Sequence, residues 1–286
     1  MSRTPAVLLD GNLYMGSTKL CIYSPAKNRW KEKSTPVYWF GLTSYHNQLV
    51  VVVGGELQSS GEVTNKLWTC ALNRLGEWEE TLPAMITKRW GTTAVSTEHD
   101  LIAAGGTDFL DHSLDVVDVY NGHQWADALI LPKPCHSMTS TVLDGCWYLM
   151  GGEGQGKDIY YASLDALIAS CNNKDALVWK SLANVPYECS SVEVIHDRLI
   201  AVGGIIERVP SPPPWSNADH VTPTSSAIHA YSPQTQSWMY VGDLPVELHS
   251  TCTIALPTGE LMVIGGCHLH SYKVFKVFFN GEYICV

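Results

Sequence analysis

The sequence predicts an all-β fold assembled from a repeated small antiparallel sheet, and three observations carry that reading. First, short apolar runs ending in two glycines recur along the 286 residues, closing at Gly54-Gly55, Gly105-Gly106, Gly151-Gly152, Gly203-Gly204 and Gly265-Gly266, with a weaker copy at Gly16-Ser17. Second, an aromatic follows each run (Tyr23, Trp68, Tyr120, Tyr161, Tyr231, Phe278), and a second one follows that (Trp30, Trp78, Trp125, Trp179, Trp238, Tyr283). Third, a proline trails most of the second aromatics at Pro36, Pro83, Pro132, Pro186 and Pro245.

The first glycines of successive copies lie 38, 51, 46, 52 and 62 residues apart. Periods of this size indicate propellers or solenoids. Each apolar run is too short for a core helix and rich in Val, Ile and Leu, as suits a strand covered on both faces by neighbouring sheets. The glycines supply positive φ and room for a second chain segment. Apolar strand, diglycine, Tyr and then Trp at these intervals resembles the kelch repeat, whose fold is a β-propeller with one four-stranded blade per repeat. The resemblance implies a six-bladed kelch-type β-propeller, all-β, with four antiparallel strands per blade. WD repeats have a similar period but would carry Gly-His and Trp-Asp dipeptides in phase. Gly122-His123 is out of phase, and no Trp-Asp occurs.

The chain divides into a single domain, with blades at about 1–36, 37–83, 84–132, 133–186, 187–245 and 246–286. Blade 1 reads as Pro5 to Leu9, a turn at Asp10-Gly11, Leu13 to Gly16, Leu20 to Tyr23 and Arg29 to Lys31. Blades 2 and 3 follow the template, with turns at His46-Asn47 and Glu98 to Asp100. Blade 4 departs from it between Tyr161 and Trp179, where Ser163 can cap a short helix over Leu164, Leu167 and Ile168, ended by Asn172-Asn173. Blade 5 carries a proline-rich insertion after Gly204. Blade 6 ends with strands over Tyr272 to Phe279 and Glu282 to Val286. If each blade supplies its own four strands, ring closure borrows none from the opposite end. The first strands are rich in Ser and Thr (Thr43-Ser44, Thr92-Thr93, Thr139 to Thr141, Ser190-Ser191, Ser250-Thr251-Thr253), a composition that fits either the lining of a narrow watery channel or plain β-propensity.

Eighteen basic against 28 acidic residues give a net charge of −10, which disfavours a nucleic-acid backbone as partner. Nine cysteines without CxxC pairs suit reduced thiols and a cytoplasmic location rather than a disulfide framework. The N-terminus lacks the apolar core of a signal peptide, and no run approaches membrane-spanning length.

Loops joining one blade to the next, and loops between second and third strands, open on one face of a propeller. From the first set come Tyr38-Trp39, Arg89-Trp90, Cys135-His136, Tyr187-Glu188 and His249. From the second come Asp108, Asp111, His268 and His270, with Glu56, His112, Glu153 and Glu207. Aromatics and histidines displayed together suit a protein or peptide contact surface. Kelch proteins that bind acidic peptides repeat an Arg just before the first strand, whereas here Arg89 alone occupies that phase. Cys267-His268-x-His270 and the Asp108, Asp111, His112, Asp115 group invite a metal reading, but neither has a recognised spacing. No GxSxG, HExxH, P-loop or GxGxxG occurs. The expectation is a monomeric, cofactor-free, non-catalytic adaptor for a protein or peptide, complete as one domain or a piece of a longer protein. The alternative is a propeller enzyme for a carbohydrate or small metabolite, possibly metal-dependent.

Overall fold

The structure is a computed structural model that describes residues 4–153, 156–170, 179–206, 223–256, 259–265, 274–279 and 284–285, with the backbone alone for 127–128, 189–190, 274–279 and 284–285. Strands β1 (Ala6–Leu9), β2 (Asn12–Met15), β3 (Leu20–Ser24) and β4 (Arg29–Lys33) form the first antiparallel meander. The second sheet has β5 (Val37–Tyr38), β6 (Gly41–Tyr45), β7 (Leu49–Leu57) and β8 (Val63–Ala71). It departs from the meander: β5 pairs with the far end of β7, and the outer position is held by a single Thr69–Glu79 bridge.

The next two meanders are β9 (Thr93–Ser96), β10 (Leu101–Ala104), β11 (Val116–Tyr120) and β12 (Trp125–Ile130), then β13 (Thr139–Leu143), β14 (Cys146–Met150), β15 (Ile159–Ser163) and β16 (Lys180–Leu182). The last two are β17 (Glu188–Ile195), β18 (Arg198–Ile205), β19 (Thr224–Ser232) and β20 (Ser237–Leu248), then β21 (Thr251–Ala255), β22 (Glu260–Gly265), β23 (Val274–Phe279) and β24 (Ile284–Cys285). Five sheets are therefore regular four-stranded antiparallel blades. The expected short helix is α1 (Leu164–Ser170), which buries Leu164 and Leu167 while the Ala166 N–H donates to Ser163 Oγ at 3.5 Å. Asn172-Asn173 and most of the blade 5 insertion lie outside the described residues.

The first strands contact one another in the cyclic order β1, β6, β9, β13, β17, β21 and back to β1. An apolar core fills each gap between sheets, because the second strands carry side chains that are buried on both faces. The ring closes in the same way, with Leu13, Met15 and Tyr23 packed on Cys252, Ile254, Met262 and Ile264. No strand crosses between the first and last sheets among the described residues, as the sequence led us to expect.

The periodic tryptophans brace neighbouring blades. The indole N–H groups of Trp78, Trp125, Trp179 and Trp238 donate to the carbonyls of Ser34, Pro83, Ile130 and Ala183 at 2.7, 2.7, 2.9 and 2.8 Å, each in the preceding blade. Within the blade, Trp30, Trp125 and Trp238 lie against Tyr23, Tyr120 and Tyr231, with ring centroids 4.8, 5.5 and 5.4 Å apart. One residue type thus fills an outer groove and satisfies a carbonyl where no regular sheet reaches.

The hairpin turns Asp10-Gly11, His46-Asn47, Asp144-Gly145 and His196-Asp197 have positive φ at both residues. That geometry matches the twist of the flanking strands. These turns mark the face opposite the interblade connections.

Candidate functional site

Each interblade connection passes beneath the diglycine of a neighbouring strand. Gly54 and Gly55 have φ of 61° and 111°, and a Cβ on them would meet the Arg89 and Tyr38 carbonyls at 2.5 and 2.6 Å. The Gly55 N–H instead donates to the Arg89 carbonyl at 2.8 Å, and the Gly106 N–H to the Cys135 carbonyl at 2.9 Å. The diglycines are close-approach sites for backbone.

This docking sets which side chains reach solvent. Tyr38 pairs with Glu56, Trp90 with Thr107 and His136 with Glu153 in short antiparallel bridges. Side chains alternate across such a bridge. The residues just before them, Val37, Arg89 and Cys135, turn inward, and all three are buried. Tyr187 and Glu188 in blade 5 are buried too. The structure therefore corrects the expectation that Arg89, Cys135, Tyr187 and Glu188 are displayed. The Tyr187 hydroxyl donates to the Ala227 carbonyl at 2.8 Å, and burial pushes the Cys135 thiol up to about 12, far from a reactive thiolate.

Arg89 is a structural cation. Its guanidinium meets Asp118 Oδ2 at 2.5 Å and donates to the carbonyls of Gly105 and Val116, both at 2.9 Å. Burial lowers the Arg89 pKa and raises that of Asp118, and their mutual attraction opposes both shifts.

What does reach the surface is a run of rings across blades 2 to 4. Tyr38 and Trp39 lie 6.2 Å apart by ring centroid, Trp39 and Trp90 5.6 Å, and Trp90 and His136 5.7 Å. Trp39 has φ of 49°, at the place where the next blades hold Gly91 (64°) and Ser137 (55°). The Gly91 N–H donates to the Trp39 carbonyl and the Ser137 N–H to the Gly91 carbonyl, so the three positions form one interblade thread. A bulky side chain in this backbone region is strained. Trp39 nevertheless remains 36% exposed, so core packing does not repay that strain.

The rings wall an open hollow of about 610 Å³ lined by Trp39, Trp90, Thr107, Asp111, His136, Ser137 and Glu153. His136 Nδ1 is 2.9 Å from Ser113 Oγ, and its Nε2 is 3.5 Å from Glu153 Oε2. Asp108 does not line the hollow. It accepts the Leu110 and His112 N–H groups at 2.8 and 2.9 Å, and these bonds lower its pKa and shape the loop. The loop tip then presents Phe109 and Leu110, 77% and 58% exposed, as neighbours of Asp111. Sequence reasoning passed over these two. Their signal is an apolar pair between two aspartates in a loop already assigned to this face.

His249 is half-buried, with Nδ1 3.1 Å from Ser250 Oγ. His268, His270 and Glu207 lie outside the described residues. Among the described residues, no group of three or more His, Cys, Asp or Glu is placed to hold a metal, including the Asp108 cluster.

Behind the face runs the central channel, a space of about 100 Å³ bordered by Thr92, Thr93, Thr139, Ser140, Ser191, Thr251 and Thr253. Hydroxyls link blades there, Thr93 to Ser140 at 2.7 Å and Ser191 to Thr251 at 3.1 Å. Glu193 also lines it, accepting from Thr141 Oγ1 at 3.1 Å and the Val194 N–H at 2.8 Å. Burial pushes its pKa up to about 7.

No family model matches the chain. Kelch-like protein 35 of Mus musculus is 24% identical over 264 residues, which are 90% of this chain and 40% of that protein. This chain thus spans about 40% of the length of that relative. The structure of YjhT superposes with a TM-score of 0.76, covering 99% of this chain and 96% of that one at 14% identity. A kelch relative along nearly the whole chain and a matching fold agree with the diglycine, Tyr and Trp repeat.

The chain folds as a β-propeller and is similar to kelch-repeat proteins.

In this propeller, the ring run, the hollow and the Phe109-Leu110 tip occupy neighbouring blades of one face. Among the described residues, no helix is long and apolar enough to cross a membrane.

Proposed function

We propose that the protein is a six-bladed, non-catalytic interaction module that holds a protein or peptide over the Trp39, Trp90 and His136 face. The sixth blade in this reading is the irregular sheet of β5 to β8, whose outer strand is reduced to the Thr69–Glu79 bridge. The observation that carries the proposal is the juxtaposition of a strained, partly exposed Trp39 with Trp90 and with the exposed Phe109-Leu110 tip. Interfaces concentrate energy in aromatic anchors ringed by polar groups. The kelch-like relative supports the same class of role.

The test is affinity capture with isotope-coded quantification, comparing wild type, a Trp39→Ala, Trp90→Ala, Phe109→Ser variant, and a Glu98→Ala, His123→Ala variant on the opposite face. Partners held by wild type and the opposite-face variant, but lost from the first variant while its circular dichroism is unchanged, support the proposal. Equal retention by all three refutes it.

A second reading, hydrolysis, is favoured by the sequence Ser113, His136, Glu153, of which His136 and Glu153 line the hollow. Labelling of Ser113 by a fluorophosphonate probe would support it; no labelling above a Ser113→Ala background would remove it.

A further inference from the structure

We propose that the hollow is a receptor for the cationic side chain of a basic peptide segment, arginine above all; this rests on the interaction-face reading and names its partner chemistry. The walls include the indoles of Trp39 and Trp90, whose π clouds are electron-rich and attract a cation. Two carboxylates, Asp111 and Glu153, share the lining with them, and no lysine or arginine among the described residues does. Arg89, the guanidinium nearest in sequence, is turned inward and neutralised by Asp118. The field in the hollow is therefore negative on a chain of net charge −10.

A second, independent feature is the polar floor. Thr107 Oγ1 and Ser137 Oγ are buried and have no hydrogen-bond partner among the described residues, although both residues line the hollow. Buried hydroxyls left this way cost stability. A donor-rich ligand that reaches them through a small side-chain shift supplies what they lack. Guanidinium combines a flat face for stacking on an indole with five N–H donors for carboxylate and hydroxyl oxygens, whereas ammonium offers a point charge without the flat face. The 610 Å³ volume exceeds one side chain, so flanking residues of the segment enter too and reach the Phe109-Leu110 tip. An acidic ligand is disfavoured by the same lining.

The experiment is fluorescence anisotropy with labelled nonapeptides of Gly and Ser carrying two arginines, two lysines, two citrullines or two glutamates at the same places. The arginine peptide is expected to bind at least tenfold tighter than the citrulline and glutamate peptides, with lysine between them. Its affinity should fall at least tenfold in Trp39→Ala, Trp90→Ala and in Asp111→Asn, Glu153→Gln. A Glu98→Gln, Asp197→Asn variant loses the same two charges on the opposite face and should bind as wild type. Equal binding of arginine and citrulline peptides overturns the proposal. So does an equal loss in both charge variants, which would mean general attraction to an acidic protein. If the capture experiment still places partners on this face while arginine shows no preference, the cation assignment fails and the interaction face stands.

Discussion

Replacing Arg89 by alanine should damage the fold and leave the binding chemistry intact, the reverse of what its place in the sequence suggests. The substitution removes the guanidinium from Asp118 Oδ2 and strips the Gly105 and Val116 carbonyls of their side-chain donors. Asp118 then keeps the Thr87 N–H at 3.1 Å as a partner, while its Oδ1 is already buried without one. Breaking a buried pair by deleting one member costs about 3–5 kcal/mol. With a urea slope of about 3 kcal/mol/M for a chain of this size, the midpoint falls by about 1–1.7 M. The pair is imperfectly satisfied, since Arg89 Nε also lacks a partner. An Arg89→Met, Asp118→Leu double variant should therefore recover most of the loss. Urea titration by Trp fluorescence gives the stabilities, and capture normalised to folded protein gives binding. A single variant within 0.3 M (roughly 1 kcal/mol on the same slope) of wild type would refute the structural role. Lost binding at full stability would restore Arg89 to the interaction surface.

Three further outcomes follow from the same geometry. Trp39→Gly relieves a left-handed backbone and should raise stability by about 1 kcal/mol in urea while abolishing partner capture; if both fall together, Trp39 is a packing residue. Glu193 has a folded-state pKa raised to about 7, so the stability associated with its protonated form is present below its unfolded value and is lost as pH rises through 7. Measured from pH 5 to 8, wild type should lose about 2–3 kcal/mol relative to Glu193→Gln, and parallel pH curves would contradict this. Trp125→Phe keeps the ring beside Tyr120 but deletes the bond to the Pro83 carbonyl, so thermal or urea unfolding should report a loss of about 1 kcal/mol, and no loss would deny the brace a stabilising role.

The repeat was legible because its residues are fixed by backbone events that recur in every blade. Gly54-Gly55 and Gly105-Gly106 answer a neighbouring chain that approaches too closely for any Cβ, and Trp78, Trp125, Trp179 and Trp238 answer a carbonyl in the preceding blade. The short helix at Leu164 was legible from its cap and apolar spacing. The orientation of Arg89-Trp90 and Cys135-His136 was not. Each pair sits in a single antiparallel bridge, and a one-residue change of phase exchanges the buried and exposed members. The sequence reading aligned Arg89 with Tyr38, whereas the bridges align it with Val37. The Phe109-Leu110 tip depends on Asp108 gathering two N–H groups, a local turn that apolar periodicity does not report. The outer strand of blade 2 follows the repeat in its Trp78 but keeps a single bridge at Glu79.

Photo-crosslinking tests the central claim most directly, because it reports where a partner touches without depending on loss of function. A benzoyl-phenylalanine photocrosslinker placed at position 109, in Phe109→benzoylphenylalanine, is compared in cells with the same group at His123 on the opposite face. Discrete partner adducts from position 109, absent from position 123 and abolished by Trp39→Ala, Trp90→Ala, are the predicted result. Adducts that form from position 123 alone, or that survive removal of both tryptophans, would contradict it.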